Sequence, residues 1–120
     1  MQARILACLI FASGAALAEC ERPYPVTIPA DPPAEKDVMM EIQGQVKTYL
    51  SEADEYLKCN EGEQARLASE LQENTGGADD IQVQIKILLT RYNNTVDEMH
   101  VVGDRYNALV RSYNAQAEPN

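Results

Sequence analysis

Residues 81–113, IQVQIKILLTRYNNTVDEMHVVGDRYNALVRSY, decide the fold. Within them Ile81, Ile85, Leu88, Tyr92, Thr95, Met99, Val102, Tyr106, Leu109 and Tyr113 recur at alternating spacings of 4 and 3, and only Thr95 is polar. A strand would repeat every second residue, whereas this period keeps one stripe of a helix turned toward one neighbour. Asp79 or Asp80 is expected to cap the helix. Gly103 and Ala108 flank the stripe and leave room for a second backbone to approach. Past Gln116 the pattern is lost, so the spacing predicts a helix over about 79–115.

Upstream, Asn74-Thr75-Gly76-Gly77 is a strong breaker. Ahead of it Met39, Ile42, Val46, Tyr49, Ala53 and Tyr56 fall at spacings of 3, 4, 3, 4 and 3, the seam of a coiled coil or a helical hairpin. Val38, Leu50 and Leu57 widen that stripe. Asn60-Glu61-Gly62-Glu63 interrupts it, and Leu67 and Leu71 resume it, so a first helix is expected over about 35–73 with an irregularity at 60–63. Pro33 near the entry, with Glu35 and Asp37 behind it, suits a helix start, where the positive end of the dipole favours acids. A connection this short makes the two helices antiparallel neighbours. The predicted fold is all-α: a coiled-coil-like helical hairpin occupying 35–120.

The segment before it, CERPYPVTIPADPPA over residues 20–34, carries five prolines and is biased to polyproline II. Residues 19–34 are therefore expected to form an extended arm. Tyr24, Val26 and Ile28 alternate along it and offer an apolar edge to lay on a surface. Farther upstream, Arg4, the apolar run Ile5–Ala12 and the small-x-small site Ala16-Leu17-Ala18 form a secretory leader over residues 1–18, cleaved after Ala18. The apolar run is too short to span a membrane. Lipid anchoring at Cys20 is not expected, because Glu19 stands where a lipobox requires a small residue.

Cleavage would remove Cys8 and leave Cys20 and Cys59 in an oxidising compartment, where two thiols most often form one structural disulfide. Chain lengths support the pairing. The arm from Cys20 to Ala34 covers roughly 43 Å as polyproline II, and a helix from Glu35 to Cys59 rises roughly 36 Å. An arm folded back antiparallel along the first helix thus reaches Cys59. Closing a loop of about forty residues stabilises by roughly 3–4 kcal/mol in the chain-entropy account.

Composition excludes more than it assigns. The chain has 120 residues and a net charge of −9, and loss of Arg4 makes it one unit more negative. That charge repels nucleic acid and anionic headgroups. His100 is the only histidine and has no nucleophile near it in sequence; it reads as a solvated flank residue. Asp54-Glu55, Glu61 with Glu63, Asp79-Asp80 and Asp97-Glu98 lack the spacing of an EF-hand or a di-iron helix pair. Asn93-Asn94-Thr95 matches a glycosylation sequon, but Thr95 belongs to the seam. No catalytic residue, cofactor or metal site is expected, and the chain does not read as an enzyme. Tyr49, Tyr56, Tyr92, Tyr106 and Tyr113 share the helical period, as a core stripe with hydroxyls at the rim or as a face offered to a partner.

The leader, the Cys20-x-x-Pro23-x-Pro25 arm, Tyr49 and Tyr56-Leu57-x-Cys59 together resemble small, uncharacterised exported (periplasmic) helical proteins of Gram-negative bacteria. The likeness covers Cys20–Cys59 and implies export and a helical fold, with no functional residue to carry over. The sequence-based expectation is a structural or protein-interaction module of the envelope, self-associating as a dimer or docking on another envelope protein. Two alternatives stand beside it. One is a periplasmic chaperone-like or stress-related binder with a Val38, Met39, Leu67 or Leu71 surface; the other is a small-ligand or metal-binding bundle.

Overall fold

A computed structural model describes residues 20–73 and 76–117. The expected leader, residues 1–18, lies outside the described residues. Two helices, α1 (Lys36–Glu73, 38 residues) and α2 (Ala78–Ala117, 40 residues), pack against each other as a hairpin, with the segment from Cys20 extended beside them. None of the described residues forms a strand. Neither helix is long and apolar enough in any stretch to cross a membrane.

Both helix starts differ in detail from the sequence reading. Glu35 contributes the first carbonyl of α1, accepting from the Met39 N–H at 3.3 Å; Pro33 sits just ahead of the first turn and Asp37 within it. At α2 the first carbonyl belongs to Gly77, which accepts from the Ile81 N–H at 3.2 Å. Asp79 and Asp80 occupy the first turn and do not cap it. They stabilise α2 through the exposed amides and dipole of its N-terminus. Gly77 has φ of 80°, in the left-handed region that only glycine enters freely, and this explains why the breaker ends in glycine.

The irregularity expected at 60–63 does not form: α1 runs unbroken from Lys36 to Glu73. The physical reason is Asn60. It lies four residues past Tyr56, continues the 3–4 register, and is fully buried at 0 % exposure. Gly62 is exposed, so the weak helix former faces water and costs only about 1 kcal/mol of propensity.

The seam follows the predicted stripes. On α1, Met39, Ile42, Val46, Tyr49, Ala53, Tyr56, Leu57, Asn60 and Leu67 are buried; on α2, Ile81, Thr95, Val102 and Leu109 are buried, and the other six stripe positions are half-buried. One continuous cluster joins Met39, Ile42, Val46, Tyr49, Ala53, Val102 and Leu109, with Leu50, Met99, Tyr106, Val110 and Tyr113 packed on it. Val26 and Ile28 of the arm also pack on this cluster. The arm thus supplies a third layer, but only to the end of the hairpin that holds the beginning of α1 and the end of α2.

Candidate functional site

The arm is held at both ends. Cys20 and Cys59 form the expected disulfide, with Cα atoms 5.6 Å apart and 39 residues between them in sequence. Cys59 stands on the exposed side of α1 and Cys20 is half-buried, so the crosslink clips the arm to the outside of the helix and leaves the seam to other side chains. At the other end Ile28, Pro29 and Ala30 border Arg105, Ala108, Leu109 and Ser112 of α2. The arm therefore starts over α1 and crosses onto α2, antiparallel to α1 as the length match required.

Between these anchors three elements converge on one carboxylate. Arg22 donates from Nη2 to Oε2 of Glu98 at 2.6 Å, and the Tyr49 hydroxyl donates to Oε1 of the same side chain at 2.8 Å. Arm, α1 and α2 are thereby joined at Glu98. Burial and then the Glu98 carboxylate push the Tyr49 hydroxyl far above its ordinary pKa, partly opposed by the Arg22 guanidinium. In the sequence Glu98 was only half of an acidic pair next to His100. The structure turns it inward and leaves His100 exposed.

A second polar contact lies deeper. Asn60 donates from Nδ2 to the Leu88 carbonyl at 3.0 Å and accepts from Gln64 through Oδ1. A buried asparagine at a seam position costs stability and selects one register, since a shifted partner would leave its amide unpaired. Sequence reasoning missed it because glycine two residues on disguised the position. The signal was present as a spacing of 4 from Tyr56. Thr95, exposed to 1 %, satisfies its hydroxyl on the Arg91 carbonyl at 2.9 Å within its own helix.

The five periodic tyrosines lie along the seam or its rim. Tyr49 and Tyr56 are buried at 2 % and 5 %, and Tyr92, Tyr106 and Tyr113 are half-buried. Tyr92 donates to Oε1 of Glu61 at 2.9 Å, which raises its pKa. The arm tyrosine departs from expectation. Tyr24 is 93 % exposed, whereas Pro23 and Val26, three residues apart, are both partly covered. Polyproline II has three residues per turn, which suits the shared cover of Pro23 and Val26, while Val26 and Ile28 keep the expected alternation and both pack on the core.

Of the residues expected on a chaperone-like surface, Val38 is exposed at 38 %, Leu71 is half-buried, and Met39 and Leu67 are buried in the seam at 7 % and 4 %. Exposed apolar side chains gather elsewhere. Val83, Ile87 and Leu89 lie on α2 in the half of the hairpin that no described arm residue reaches. Val83 and Ile87 share an open shallow groove with Lys86, Thr90 and Arg91, on the side of α2 opposite the seam. No group of three or more His, Cys, Asp or Glu side chains among the described residues is placed to hold a metal ion.

No family model matches the chain, and neither a curated protein nor a solved structure matches it.

Proposed function

We propose that this chain is a non-enzymatic structural or protein-interaction module of the bacterial envelope, exported by a leader cleaved after Ala18. The observation that carries the reading is the uneven finish of the hairpin. One half carries a crosslinked arm, while in the other Val83 and Ile87, 55 % and 45 % exposed, share a groove with two cations on a chain that is strongly acidic. Exposed apolar side chains that share a groove are characteristic of contact surfaces, and scattered single ones are not. The Cys20–Cys59 crosslink supports an oxidising compartment.

The reading is tested by placing a photo-crosslinking residue at Ile87 and, separately, at Lys47, in cells that export the protein. Lys47 is exposed on α1 and lies far from the groove in sequence. Adducts in the envelope fraction from position 87 and none from position 47 are the expected result. Equal labelling at both positions, or none at either, would remove the interaction reading.

A further inference from the structure

The geometry points to a second copy of this chain as the occupant of the uncovered face of α2, docked antiparallel about a two-fold axis near Ile85. This deepens the interaction reading and rests on it. The stripe opposite the seam begins with Asp79 and Asp80, continues through Val83, Ile87 and Thr90, and carries Lys86 and Arg91 at its sides, all of them exposed. At 3.6 residues per turn, Asp80 and Arg91 fall on one flank of Val83 and Ile87, and Asp79 and Lys86 on the other. Each flank therefore runs from acid to base along the helix.

That order makes the flank bearing Asp80 and Arg91 complementary to itself, while on the other flank Lys86 stands two residues from level with the partner's Lys86 and opposes the contact. Two antiparallel helices related by a two-fold axis bring like flanks together with their directions reversed, as isologous interfaces do. With the axis at Ile85, Val83 lies opposite the partner's Ile87, and Ile87 opposite the partner's Val83. Asp80 then lies one residue from level with the partner's Arg91, and the pair occurs twice. None of these charges is paired with another among the described residues. The ion pairs among the described residues are Arg22–Glu98, Lys58–Asp54, and Arg66 with Glu63 and Glu70.

The contact spans Asp79–Arg91, about 18 Å of helix. A contact of that length belongs with small, reversible interfaces, so the dimer is expected to dissociate in the micromolar range.

The test uses the oxidised, processed chain, with mass measured by light scattering across micromolar concentrations and helicity by circular dichroism. Wild type should pass from monomer to dimer. Asp80→Arg and Arg91→Asp should each weaken the dimer roughly tenfold or more, because each places like charges together twice. Their equimolar mixture should regain it, since one variant then offers two bases and the other two acids. Damage to folding in either variant would persist in the mixture, which makes regain specific to pairing. A wild type monomeric at every concentration, a dimer indifferent to both reversals, or a mixture that fails to recover would overturn the proposal. A monomer that still crosslinks through position 87 to another envelope protein would overturn self-pairing and leave the interaction reading in place.

Discussion

The two halves of this hairpin are built from the same helices with the same period, yet they solve burial differently. In the covered half the seam is aliphatic and aromatic, Met39, Ile42, Val46 and Tyr49 against Val102 and Leu109, and the arm lays Val26 and Ile28 over it. In the uncovered half the seam keeps Leu67 and Ile81 buried but also admits the buried amide of Asn60, and Val83 and Ile87 stand exposed on the outer face of α2. Two helices have one mutual interface, so an element of this kind needs a further layer. One half obtains it from its own chain through a crosslink. The other half leaves its outer face to a partner.

Breaking the crosslink should give the largest effect. Cys59→Ser is expected to cost about 3–4 kcal/mol, the loop-closure contribution of a crosslink over about forty residues. The loss should be local as well as global. Amide exchange should accelerate over Met39–Ala53, where the arm lies, before it does around Leu67 and Ile81. Uniform acceleration along both helices would show that the arm is not a separate layer, and an unchanged melting temperature would remove the staple altogether.

The junction at Glu98 gives an intermediate effect with a pH signature. Tyr49→Phe deletes the hydroxyl that Glu98 accepts and should cost about 1.5 kcal/mol, as for a hydrogen bond to a charged group. Because folding raises the Tyr49 pKa, the neutral phenol stabilises the fold fully below its ordinary value of about 10. That share is lost as pH climbs from there toward the folded value. The melting gap between wild type and Tyr49→Phe should therefore hold steady at neutral pH and narrow above about pH 10. A gap that stays constant above about pH 10 would remove the titration of the phenol from the account.

The smallest expected change in stability, of opposite sign, is in the uncovered half. Asn60→Leu replaces a buried amide with a side chain that packs without a partner, and should raise stability by less than about 1 kcal/mol. It should also loosen the register. Cysteines introduced at exposed sites facing across the uncovered half, crosslinked after a thermal cycle, should give one product in wild type and several in Asn60→Leu. A marked fall in melting temperature would make Asn60 a net stabiliser and not a register pin.

How much of this was legible depended on whether the signal was periodic or long-range. The ten-position stripe from Ile81 to Tyr113 specified α2, and its partner stripe specified α1, because side chains three and four apart must share a face. The Cys20–Cys59 pairing followed from two rises per residue. Asn60 was hidden because residue type outweighed position in reading Asn60–Glu63. Glu98 was illegible for a different reason: Arg22 and Tyr49 are 76 and 49 residues away from it, and no local pattern encodes contacts at that distance. The two-residue alternation along the arm held for Val26 and Ile28 but not for Tyr24, which stays exposed. The Val83–Ile87 face was present in the sequence, but two apolar residues outside a strong seam carry little weight until the seam has been assigned to another neighbour.

The placement of the crosslink also determines how the molecule bears load. Cys59 lies near the middle of the hairpin's length, at the boundary between the two halves, and Cys20 is bonded to it directly. Tension applied to the chain ahead of Cys20 passes through the sulfur atoms into α1 at that boundary. The fifteen residues that follow are bypassed, so the arm is not peeled from the core one contact at a time. The force meets a long helix in its interior, where backbone hydrogen bonds must yield together. Anything fastened upstream of Cys20 would hang from the interior of α1 and not from the end of the arm, with the uncovered face of α2 left free.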